Sequence, residues 1–240
     1  MENFARHLSP PPAAAGNFGA VLLRAITQDG SLHVTKPIFK FLNDSRDAMD
    51  LRSAVMTLRP ALIADITHFL CISHGKHPGI IDHAATKIVD DAARDWLLSA
   101  IKAFAAERHY LNRLIVAAGP IARQSGQEKI TAIIAGQSKS FEMLATSDRQ
   151  GCAAGTAIAF AIDWQHTRPL MDQCALALGI EPFELELPPL SQTVALAEQL
   201  ASTAAKQRAM MFGAQQLLAQ QRGLWQLIAG RHTEMQHFGV

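Results

Sequence analysis

Two pairs of residues, Asp65-x-x-His68 and Asp163-x-x-His166, each set a carboxylate and an imidazole one helical turn apart. Side chains three residues apart share a helical face, so each pair can present oxygen and nitrogen donors to one point. Such donors suit Fe, Mn or Zn. Helical carboxylate centres for two irons or manganeses combine motifs of this kind from two helices with a further acid from each of two others. Here those further groups are Glu107 and either Glu142 or Gln137. The pattern departs from that template in three ways. Asp stands where Glu gives longer reach, Glu142 lies off the Gln137 face, and the order of the motifs differs from ferritin-like proteins. The same residues also read without a metal, as a small-ligand pocket in which Glu107, its pKa raised by burial, serves as general acid or base.

A second cluster lies in the stretch SHGKHPGIIDH, Ser73–His83, which holds three of the chain's ten histidines. Gly75 reads as the left-handed residue that closes one helix, and Pro78 as the first residue of the next. Turn chemistry thus accounts for the glycine and the proline. His74 and His77 read as solvated or as caps for terminal carbonyls. With Gln137, His77 and His83 are also candidates for contact with a small ligand.

These residues need helices to position them, and the sequence supplies helices almost exclusively. Ala, Leu and Gln abound, and SLHVTK (Ser31–Lys36) is the one short strand-like run. Glycine and proline punctuate five helical blocks: about 46–74 with Pro60 inside, 78–118 ending at Gly119–Pro120, 127–148, 151–178 with Pro169 inside, and 192–229. Each residue advances a helix by about 100°. On that spacing Asp65 falls in the stripe Leu62, Ile66, Phe69, with His68 at its edge. Glu107 falls in the stripe Ala100, Ala103, Phe104, Leu111, Leu114. Gln137 lies between Ile134 and Phe141, and Asp163 follows Ala159 and Phe160, flanked by His166. Four blocks therefore turn a polar group toward the expected core. A buried charge without a partner costs several kcal/mol, so the structural reading pairs these groups with Arg59, Arg113, Arg149 or Gln137 across the bundle.

Composition bounds the rest. The 240 residues are 49% hydrophobic and 18% charged, with a formal net charge of +1. No basic run offers a surface for nucleic acid. The most apolar run, 152–162, is shorter than the roughly 20 residues that span a bilayer. Cys71, Cys152 and Cys174 are odd in number, distant and set in apolar text, which reads as reduced thiols in a cytoplasmic protein. SDRQGCAAGTA (Ser147–Ala157) lacks the lysine of a phosphate loop. It reads as a bend at Gly151 followed by small residues that let another helix come close. Glu234-x-x-His237 lies in a frayed tail.

FLCISHGKHPGIIDHAA (Phe69–Ala85) and SDRQGCAAGTAIAFAIDW (Ser147–Trp164) resemble an uncharacterised all-helical family from alphaproteobacteria. The resemblance implies a helical fold and assigns no activity. The expectation is an all-α, up-down helical bundle of about five main helices over 46–230, with an irregular N-terminal arm (1–45) and a tail (231–240). Two functions follow. One is a scaffold, interaction or regulatory module with a buried polar network, in which the C-terminal stripe Leu196, Leu200, Met210, Ala214, Leu218, Trp225 and Ile228 either packs on the bundle or forms a homodimer seam with a second copy. The other is a metal- or small-ligand-binding enzyme of the di-metal carboxylate or haem-oxygenase-like type.

Overall fold

The computed structural model describes residues 18–44, 52–121 and 127–238; the side chains of Phe41, of 43–44, of 52–59 and of 233–238 fall outside that description. Among the described residues the regular structure is all α-helix apart from one short 3-10 turn, Asp91–Ala93. The helices are α1 (Phe18–Asp29), α2 (Leu32–Asp44), α3 (Arg52–His74), α4 (Ile80–Ala85), α5 (Arg94–Ala118), α6 (Gln127–Ala145), α7 (Cys152–Ala177), α8 (Leu190–Leu200) and α9 (Ala204–Phe238).

α7 is the centre of the fold and touches every other helix described. Its first thirteen residues, Cys152–Trp164, are all buried. A helix apolar on every side has no face to give to water, so its neighbours must surround it. The closest of these neighbours is α9. Gly155 lies against the backbone of Met210 and Gly213 against that of Cys152, with no room for a Cβ at either position. The small residues after Gly151 thus do what the sequence suggests, and Gly151 itself takes a left-handed φ of 97°.

Residues 18–44 are helical where the sequence reading has an irregular arm. From Ser31, just before α2, the buried Ser31, Thr35, Ile38 and Leu42 recur at helical spacing, and Pro37 sits on the exposed face. The strand-like SLHVTK opens this helix. Residues 1–17, and the N-cap proposed at Asn43, Asp44 or Ser45, lie outside the described residues or side chains. Two of the five blocks divide further. The second becomes α4, the 3-10 turn and α5; the fifth breaks at 201–203, where Gln207 donates to the Ala201 carbonyl and Thr203 accepts from the Lys206 amide. The tail is also corrected: α9 continues to Phe238 and Arg231 is buried. The stripe Leu196, Leu200, Met210, Ala214, Leu218, Trp225 and Ile228 is buried within this chain's own core.

Gly119 and Gly179 close α5 and α7 with φ of 71°, as the punctuation predicts. Gly75 does not adopt a positive φ; its Cβ would strike Cys71, so close approach to the preceding turn, not handedness, explains the glycine. Pro78 precedes Gly79, the N-cap of α4, after a cis peptide bond.

Candidate functional site

The four polar groups expected to face inward are buried: Asp65, Glu107, Gln137 and Asp163. They do not share one centre. Asp65 accepts from Arg231 Nε at 2.6 Å. Burial raises its pKa, and the Arg231 charge opposes that shift. Asp163 accepts from the Ser31 amide at 2.7 Å and the Ser31 hydroxyl at 2.6 Å, placing a carboxylate at the start of α2, where a helix favours negative charge. His68 donates from Nε2 to the Gly119 carbonyl at 2.7 Å and so caps the end of α5. His166 approaches Asp163 only to 3.9 Å. Gln137 donates to the Gln220 carbonyl at 3.4 Å, joining α6 to α9. Among the described residues no three His, Cys, Asp or Glu side chains are grouped to hold a metal ion. The Fe, Mn or Zn centre expected from Asp65, His68, Asp163 and His166 is therefore not assembled by this geometry.

Glu107 belongs to a closed ion-pair node. It accepts from Trp164 Nε1 at 2.8 Å and from Arg168 Nε at 3.0 Å. Arg168 also donates to Asp172 at 2.6 Å and to the Phe183 carbonyl at 2.7 Å, and its guanidinium lies over the rings of both Tyr110 and Phe183, 4.5 and 4.9 Å from their centroids. Tyr110 donates to Asp172 at 2.9 Å. Burial raises the Glu107 pKa, while Trp164 and Arg168 lower it. Each nitrogen of the guanidinium has a partner, and the bond to the Phe183 carbonyl pins the 178–189 segment onto α5 and α7. Of the arginines proposed as partners, Arg113 and Arg149 are exposed, and the Arg59 side chain lies outside the described set. Arg168 and Arg231 take their place. Arg168 could have been found by phase, since it follows Trp164 by one turn and precedes Asp172 by one turn. Arg231 could not, because the tail reads as frayed.

The Ser73–His83 stretch does line a cavity. Ser73, His74, Lys76, Gly79, Ile80 and His83 form one side of a space of about 260 Å³, faced by Phe104 and Arg108 of α5, Lys139, Phe141 and Glu142 of α6, and Phe160 of α7. Gly79 and Arg108 come together here because Asp82 Oδ2 accepts from both the Gly79 amide (2.8 Å) and Arg108 Nη1 (3.0 Å). His77 is exposed and lies 3.4 Å from Asp82 and from Arg108. Of the three ligand candidates, His83 lines this cavity; Gln137 and His77 do not.

His74, read as a surface or capping residue, is buried instead. Its signal was helical phase: Ile66, Leu70 and His74 are four residues apart and all inside. The ring packs on Phe141 and Phe160, with centroids 5.1 Å away in each case, and meets Trp164 edge-on at 5.4 Å. Burial lowers its pKa to about 4, against small opposing effects of Gln221 and Asp163, so it is neutral at pH 7. Nε2 lies 3.1 Å from Gln221 Oε1. An amide oxygen can only accept, so Nε2 carries the proton and Nδ1 a bare lone pair. That Nδ1 and the neighbouring Ser73 Oγ are both buried without a hydrogen-bond partner.

No curated protein and no solved structure matches the chain. A family model covers most of it, including the whole cavity lining: the chain belongs to a family of unknown function, DUF6975, matched over residues 43–236.

Proposed function

We propose that this protein binds a small organic molecule in the cavity between α3, α4, α5, α6 and α7, with His74 Nδ1 accepting a hydrogen bond from it. The observation that carries this reading is the pair of orphaned polar atoms, Ser73 Oγ and His74 Nδ1, on adjacent residues that line one cavity. Leaving a buried polar atom unpaired costs about 1–3 kcal/mol each, and a ligand with donor and acceptor groups recovers that cost. A scaffold with a structural polar network accounts for the Asp65, Glu107 and Asp163 contacts, but it leaves these two atoms unexplained. Three phenylalanines and two isoleucines supply the apolar lining that small-molecule sites use. A histidine held neutral to about pH 4 is too weak a base to take a proton efficiently at neutral pH; its role is recognition.

The test is a ligand-observed NMR screen of small fragments against the wild type and Ala135→Trp. Ala135 is exposed at the cavity mouth, so the indole covers the opening without entering the core. Fragments that bind the wild type and are lost in Ala135→Trp are expected. A screen whose hits all survive the substitution, or that yields none, would contradict the reading.

A further inference from the structure

The mouth of the cavity carries a charge pattern that the binding reading alone does not use. Lys76, Arg108 and Lys139 line it, with His83 beside them, and Glu142 is the acid among its lining residues. Arg108 is largely buried and engaged with Asp82. Lys76 is exposed, and its side chain makes no ion pair or hydrogen bond among the described residues. Lys139 holds Glu142 at 2.9 Å, with both side chains largely in solvent, an arrangement that water screens and that is easily exchanged. Counting Asp82 behind Arg108, three permanent cations face two acids, so the opening is net positive.

We infer that the ligand is a small organic acid: a carboxylate that sits against Lys76 and Lys139, a flat apolar body against Phe104, Phe141 and Phe160, and one O–H or N–H donor that reaches His74 Nδ1. This rests on the binding reading above and narrows it to one chemical class. Three features of the cavity agree. Phe104 and Phe160 stack with centroids 4.5 Å apart, and with Phe141 they make walls suited to a planar group. His74 Nδ1, a bare acceptor, selects a donor on the ligand's inner end and rejects a second carboxylate there. Glu142 shows how the mouth treats a carboxylate: the Lys139 hydrogen bond, with the charges of Lys139, His83 and Lys76, holds its acid group below its ordinary value. A ligand carboxylate at the same place meets the same field, whereas a cationic ligand is repelled by it.

The experiment is calorimetric titration of the wild-type protein at low salt with 4-hydroxybenzoate and with 4-hydroxybenzamide, which differ by the charge. Both titrations are repeated on the Lys76→Met/Lys139→Met double variant, whose substitutions lie on the surface, and on Ala135→Trp. The acid is expected to bind the wild type at least about tenfold more tightly than the amide, which corresponds to about 1.4 kcal/mol. The double variant should lose that preference while binding the amide unchanged, and Ala135→Trp should bind neither. Equal binding of acid and amide, an acid affinity indifferent to the double substitution, or no binding of the acid up to millimolar concentration overturns the assignment of an organic acid. Amide binding that Ala135→Trp abolishes would leave the cavity reading standing in each of the first two cases. Loss of both readings together requires that the fragment screen also fail.

Discussion

His74 is neutral because its surroundings cannot solvate a charge: two phenyl rings, an indole edge and a glutamine oxygen. That has a consequence for stability. In the unfolded chain the imidazole titrates near pH ~6.5, and in the fold near about 4. Between those values the unfolded state binds a proton that the native state refuses. The stability attached to His74 is therefore fully present above pH ~6.5 and is lost as pH falls toward ~4, by about 3 kcal/mol at most. Asp65 and Glu107, raised by burial, act with the opposite sign in the carboxylate range, favouring the fold as pH falls. His74→Phe separates the two effects, since both acids remain. Urea denaturation of wild type and His74→Phe should show the wild type losing stability relative to the variant between neutral pH and pH ~4.5. A constant difference across that range would mean that His74 is not held neutral. At this scale the sequence was half legible. Helical phase alone turned Asp65, Glu107, Gln137 and Asp163 inward. The partners it offers, Arg113 and Arg149, are exposed, because phase places a residue on its own helix and not across the bundle. The inward cation is Arg168, in register with Trp164 and Asp172.

At the scale of elements, the α7–α9 crossing decides the fold. Gly155 faces the Met210 backbone rather than a flexible side-chain end, so an added methyl cannot be absorbed by a rotamer change. Gly155→Ala should force the helices apart and cost about 1–3 kcal/mol. Gly136, on the exposed side of α6, has no heavy atom near a built Cβ, and Gly136→Ala should instead stabilise by about 0.5–1 kcal/mol through helix propensity. Opposite shifts of the urea midpoint are the expected outcome, and a neutral Gly155→Ala would show that the two helices do not cross so closely. Helix ends marked by glycine were legible, as Gly119 and Gly179 illustrate. The break between α8 and α9 was not, because Ala201, Ser202 and Thr203 carry no breaker; Gln207 and Thr203 stabilise it by hydrogen bonds to the local backbone. α1 and α2 were missed because Pro37 and a short β-branched run disguised a pattern whose buried positions recur every three or four residues.

For the whole molecule, one buried rod, α7, organises the other helices, and the acids distributed around it hold structure rather than chemistry. Asp65 anchors Arg231, Glu107 anchors Arg168, and Asp163 anchors the α1–α2 corner through Ser31. The all-helical class was readable from composition and periodicity. The cavity was not, because its lining comes from five helices whose mutual placement no local pattern encodes; only its Ser73–His83 side was visible as an unusual cluster. No described helix is long and apolar enough to cross a membrane. Since adjacent orphaned polar atoms and apolar walls meet a positively charged opening at this cavity, the most direct measurement is a crystal structure of the protein bound to a fragment recovered from the screen. The fragment is expected against Phe141 and Phe160, with its donor on His74 Nδ1. Fragments found only on outer surfaces, with His74 Nδ1 still bare, would contradict the account.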